Sequence, residues 1–223
     1  MTTKRVLEIG GFVSAAIMVA FGVAVILLAA NGRSTVNSSL KQEKITGTPD
    51  MTPAAIKAEA AKAGLTGITF PTCTVAGKAV VDGATARCFA QYMRIHTLEA
   101  THGFVYAEMG RYEAKPGTPK AQLTPDGATN NPAYAVVDPT TKQPVANAAR
   151  DIWVTETALT TALNVSYMAD QLSLFSLVIG IALLLAGIGF AVLDWAAIHG
   201  RRPEPAAAAE DARATRPTKP AIA

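Results

Sequence analysis

Residues Leu172–Leu193 read LSLFSLVIGIALLLAGIGFAVL: 22 positions without a charge. At a rise of 1.5 Å per residue, about twenty apolar positions cover the roughly 30 Å hydrocarbon core of a bilayer. The run is the second half of a longer helical pattern, from Ala146 to about His199. The first half, Arg150–Asp170, is amphipathic and holds neither Gly nor Pro. Together they predict a membrane-spanning helix that continues outward as a long juxtamembrane helix and carries a folded domain.

A second apolar run, Ile9–Ala30, follows Lys4 and Arg5. It exceeds the 7–15 residues usual for a signal-peptide core, and Leu28 stands where a cleavage site after Ala30 needs a small residue. A retained anchor is therefore expected. Ala16, Ala20 and Ala24 recur every four residues and give that span a smooth face. Ser173, Ser176, Gly180, Gly187 and Ala191 recur in the second span at small-residue spacing and are expected to receive it. Trp195 falls where an interfacial anchor belongs. Lys4 and Arg5 before the first span, and Arg201 and Arg202 after the second, assign both termini to the cytoplasm, against the weaker opposing signal of Arg33, Lys41 and Lys44. The expected layout is a multi-pass plasma-membrane protein. Residues 1–8 are a cytoplasmic N-terminus, 9–30 and 172–193 are transmembrane helices, 31–171 are extracytoplasmic, and 194–223 form a cytoplasmic tail. From Arg201 that tail is too rich in Pro, Ala and charge to fold.

The segment between the spans, about 140 residues, is large enough for a small core. Gly32–Ile45 continues the first helix outward, and Pro49 forbids a helix through Thr46–Asp50. Thr52 followed by Pro53 is a helix start, Ile56 and Ala60 mark one face of Pro53–Ala63, and Gly64 is the C-cap. Leu65–Val81 is rich in Thr, Val, Ile and Phe and reads as short strands or extended segments. Asp82-Gly83 is a turn. Thr85 to about Thr101 is a helix buried through Cys88, Tyr92 and Ile95 and widened by Phe89 and Met93. Six prolines between Pro116 and Pro144 make an irregular arm, with Ala133–Val137 as a strand. On the long helix, Ile152, Leu159, Leu163 and Tyr167 mark the dry face beside Trp153, and Glu156 and Asp170 point to water. The fold class expected is a membrane protein, mainly α with an α+β ectodomain: two antiparallel transmembrane helices and a small disulfide-stapled external domain.

Cys73 and Cys88 are the only cysteines and lie in the segment assigned to the oxidising exterior. Pairing is the simplest expectation, the alternative being two buried free thiols. His96, Glu99, His102 and Glu108 hold metal-binding atoms, but His96 and His102 project about 240° apart on one helix. The HExxH spacing is absent. Solvated or capping polar residues are the plainer reading, so no metal site and no cofactor are expected. No Gly-rich phosphate loop, GxSxG elbow or kinase signature occurs, and no catalytic residue is assigned. Asn37-Ser-Ser39 and Asn164-Val-Ser166 match the glycosylation acceptor pattern. A net charge of +3 without a basic, aromatic-interleaved stripe gives no support to nucleic-acid binding.

At Thr48-Pro-Asp-Met-Thr-Pro53, Thr101-His-Gly-Phe-Val-Tyr-Ala-Glu-Met-Gly-Arg111 and Trp153-Val-Thr-Glu-Thr-Ala-Leu-Thr-Thr-Ala-Leu-Asn164, the chain resembles a family of small actinobacterial membrane proteins. The resemblance covers nearly everything except the tail and implies two spans with an external domain. Some members carry the label aromatic ring-opening dioxygenase. Extradiol enzymes of that name hold iron with two histidines and a carboxylate in a large soluble fold. This chain has no room for that fold, and its ligand spacing is wrong, so no catalytic residue is carried over. The expected function is a non-enzymatic scaffold or accessory subunit of an envelope complex. Its partners would be the lipid bilayer and other membrane or envelope proteins, or a second copy. The alternatives are an extracytoplasmic sensor or ligand-binding protein signalling along the long helix, and a metal-dependent enzyme around His96, Glu99, His102 and Glu108.

Overall fold

The computed structural model describes residues Thr3–His199; Arg201, Arg202 and the rest of the expected tail lie outside the described residues. Four α-helices are present among them: α1 (Thr3–Gln42), α2 (Pro53–Lys62), α3 (Gly83–Ala100) and α4 (Ala148–His199). Short 3-10 turns stand at Tyr106–Glu108, Lys120–Gln122 and Pro132–Tyr134. Two of the helices are long and apolar enough to cross a membrane, over Ile9–Gln42 and Ala148–His199. The chain divides into two units, one of α1 up to Ile26 with α4 from Val178, the other Leu27–Leu177.

In the first unit, backbones meet where side chains are smallest. A Cβ added to Gly180 would lie 3.0 Å from the Gly22 carbonyl oxygen and 2.8 Å from Ile26 Cγ1. One added to Gly187 would lie 2.9 Å from the Ala15 carbonyl oxygen. Gly180 and Gly187 thus face α1, and Ala191 is half-buried; Ser176, in the other unit, is half-buried too. The alanine face expected on α1 is corrected. Ala16, Ala20 and Ala24 are exposed, and the contact runs instead along Ala15, Val19, Gly22 and Ile26. Both stripes fit small-residue spacing, and the glycine permits the closer approach. Large apolar side chains such as Phe21, Leu185 and Leu193 point outward, each more than three-fifths exposed. An exposed apolar surface of this kind fits helices that could cross a membrane.

The second unit has a conventional core. Ile56 and Ala60 of α2 meet Phe89, Tyr92 and Ile95 of α3, joined by Met51, Val75 and Val80, by Leu40 of α1 and by Leu163 of α4. α2 starts as read: Thr52 Oγ1 accepts from Ala55 N at 3.3 Å, and Pro53 occupies the first turn. It ends at Gly64 with φ +69°, which glycine adopts without a Cβ penalty. α3 begins two residues earlier than expected, because Asp82 is a cap rather than a turn residue. Its Oδ1 accepts from Thr85 N at 2.8 Å, and Thr85 Oγ1 accepts from Asp82 N at 3.1 Å.

No strand occurs among the described residues; the extended segments meet only as isolated bridges such as Thr46 with Ala79 and Tyr112 with Thr129. Proline removes ladder donors and glycine interrupts the pleat, so pairing never propagates through Pro71, Gly77 or the proline-rich arm. The expected wet face of α4 is also corrected: Glu156 and Asp170 are buried, and Ile152 is 46% exposed. α3 presses against that face. A Cβ on Gly83 would stand 2.7 Å from Asp170 Cβ, and Arg33 Nε of α1 lies 3.2 Å from Asp170 Oδ1.

Candidate functional site

The candidate ligand-binding groups of the second unit gather in two places. The first is a cleft of about 590 Å³ between α3, which supplies Arg87, Gln91 and Arg94, and α4, which supplies Glu156, Thr160 and Asn164. The arginines recur at seven-residue spacing and so share a helix face. Each is steered by an aromatic ring of α4: Arg87 Cζ lies 4.8 Å from the Tyr167 centroid, and Arg94 Cζ lies 4.0 Å from that of Trp153. Glu156 Oε2 sits 3.9 Å from Arg94 Nη1, while Oε1 is shielded from solvent with no hydrogen-bond partner. Two guanidinium groups beside a buried carboxylate suit a ligand carrying both an anionic group and a hydrogen-bond donor.

The second place surrounds His96. Its Nε2 stands 3.1 Å from Asp50 Oδ2, and its Nδ1 stands 3.9 Å from Glu99 Oε2. Glu59 of α2 completes a group, Asp50, Glu59 and His96, whose ligand atoms all lie within 4.8 Å of one another. The quartet named from sequence is therefore divided. Glu99 remains beside His96. His102 is exposed beyond the end of α3 with φ +54°, and Glu108 Oε2 accepts from Val105 N at 2.9 Å. Asp50 and Glu59 escaped the sequence reading. The helix start at Thr52-Pro53 and the buried pair Ile56 and Ala60 orient both residues, but only the packing of α2 on α3 shows that they meet His96.

Cys73 and Cys88 form a disulfide with Cα atoms 6.1 Å apart. Tyr92 Oη donates to the Cys73 carbonyl at 2.6 Å, and burial pushes the phenol above its usual range.

The arm is organised around Asp126. Burial opposes the charge of Asp126, but hydrogen bonds from Thr124, Ala128, Gly110 and Asn147 outweigh it, so the carboxyl titrates below its usual range. The closest donors are Thr124 Oγ1 at 2.6 Å and Asn147 Nδ2 at 2.7 Å. A folded-state value below the unfolded value stabilises the fold at pH above the unfolded one and withdraws that support as pH falls through the folded one. Hydrogen exchange in the arm is therefore expected to stay constant from neutral pH to about pH 5 once corrected for intrinsic rates, and to accelerate below about pH 4. Asp126→Asn should remove that acid dependence; an unchanged profile in the variant would refute the assignment.

No family model, curated protein or solved structure matches the chain.

Proposed function

We propose that this is a two-pass membrane protein with antiparallel spans, cytoplasmic termini and an extracytoplasmic segment 31–171, acting as a non-enzymatic scaffold or accessory subunit of an envelope complex. Membership of the small actinobacterial family is part of the same proposal. The observation that carries the reading is a disulfide in the segment that separates, along the chain, two long apolar helices: an exported segment encounters the oxidising conditions that Cys73–Cys88 needs. The partner role draws support from an apolar groove where Tyr106, Trp153, Val154 and Ala158 meet, with Tyr106 and Val154 about half exposed. A compartment-sensitive reporter inserted near Asn130 is expected to report the exterior, and purification in mild detergent is expected to recover a complex. A cytosolic reporter would overturn the topology, and a strictly monomeric, unaccompanied chain would overturn the accessory role. The cleft at Arg87, Arg94 and Glu156 favours a second reading, an extracytoplasmic ligand-binding protein. Thermal stabilisation by a soluble cell-wall fragment or lipid headgroup, lost in Arg94→Ala, would select it.

A further inference from the structure

We propose that Asp50, Glu59 and His96 bind one divalent metal ion of the zinc or manganese class. The three donors come from separate stretches: the turn before α2, α2 itself, and α3. Each neighbours a buried core residue in sequence, Met51 at 2% exposure, Ala60 at 0% and Ile95 at 2%. The core therefore fixes all three positions before any ion arrives. The Asp50 turn is held independently, with Thr74 Oγ1 and Val75 N both donating to the Met51 carbonyl at 3.1 and 3.3 Å.

The local geometry singles out this group from ordinary ion pairs. His96 Nε2 is 3.1 Å from Asp50 Oδ2, yet it has no hydrogen-bond partner, and the nitrogen is shielded from solvent. Ring nitrogen and carboxylate oxygen thus lie side by side, as two ligands of a common ion do. In a four-coordinate site, metal–ligand bonds of about 2.0–2.2 Å place donor atoms about 3.3–3.6 Å apart. The present span, at most 4.8 Å, needs a closure of up to about 1.4 Å, within reach of side-chain rotation. On the far side of the ring, Glu99 Oε2 lies 3.9 Å from Nδ1, beyond hydrogen-bond reach, and an approach of about 1 Å would let its carboxylate orient a ligating imidazole as a positioning residue. One imidazole with two carboxylates suits zinc or manganese, and pairing of both cysteines leaves no thiolate here to favour a softer ion. Three protein ligands leave a coordination position open to water or a small oxygen ligand.

The test uses the full chain in detergent, stripped with chelator and titrated separately with zinc and manganese salts by equilibrium dialysis with elemental readout. One ion per chain is expected. Asp50→Asn, Glu59→Gln and His96→Gln should each weaken binding about a hundredfold or more, and Glu99→Gln about tenfold. His102→Ala and Glu108→Gln should bind as the parent does. Circular dichroism verifies that each variant is folded, and Glu59→Gln, on the surface turn of α2, supplies a mild second case. Absence of stoichiometric binding by the parent chain would overturn the proposal. So would retention of the ion in folded Asp50→Asn and His96→Gln, or its loss in His102→Ala.

Discussion

Tyr92→Ala is expected to destabilise the second unit by about 3–5 kcal/mol, as truncation of a fully buried aromatic residue does. Tyr92 is 0% exposed and sits among Ile56, Phe89, Val75 and Val80 in the core. Its ring fills the space where α3 meets the segment after α2, and no neighbour is free to collapse into the void without moving one of them. The hydroxyl adds a separable contribution. Because it donates to the Cys73 carbonyl at 2.6 Å, Tyr92→Phe leaves that acceptor short of a partner and should cost about 1–3 kcal/mol. Denaturant titration in mild detergent, followed by near-ultraviolet circular dichroism, separates the two. Equal stability of Tyr92→Phe and the parent would show that the hydrogen bond contributes nothing net.

Cys73→Ala with Cys88→Ala is expected to cost about 3 kcal/mol, the chain-entropy value for a loop of this size. The two cysteines are separated by 15 positions, and the residues between them form no regular secondary structure before α3. The bridge is the covalent tie of that stretch to the helix. Comparison of oxidised, reduced and doubly substituted protein by the same titration measures it. The reduced parent should match the double variant. Since Tyr92 holds the backbone of Cys73, loss of the bridge and loss of the ring disturb one neighbourhood, and the triple variant should lose less than the two effects added together. Strict additivity would refute that coupling.

Local and one-dimensional signals were readable in the sequence. Charge-free runs announced the two long helices, Thr52-Pro53 announced α2, and the cysteines announced their bond. Features set by a second element were less so. Asp82 caps α3 through Thr85, a threonine where the familiar pattern has Glu or Gln, so the pair resembled a turn. Ala16, Ala20 and Ala24 competed with Ala15, Val19, Gly22 and Ile26 as the packing stripe of α1, and a single helix cannot decide between two faces of similar size. Glu156 and Asp170 looked wet because α4 alone gives no sign that Arg94 and Arg33 come to meet them. Asp50 and Glu59 lie far from His96 along the chain, and no local spacing rule joins them.

The two tryptophans differ in a way that gives the molecule an internal optical probe. Trp153 is 5% exposed, lies under the guanidinium of Arg94 and borders the apolar groove, whereas Trp195 is 59% exposed and stacks on His199. Emission from a sheltered, cation-capped indole shifts when its neighbours move. An occupant that draws Arg94 away or fills the groove therefore changes the colour of Trp153. Replacing Trp195 by Phe leaves that single chromophore to be followed without any added label.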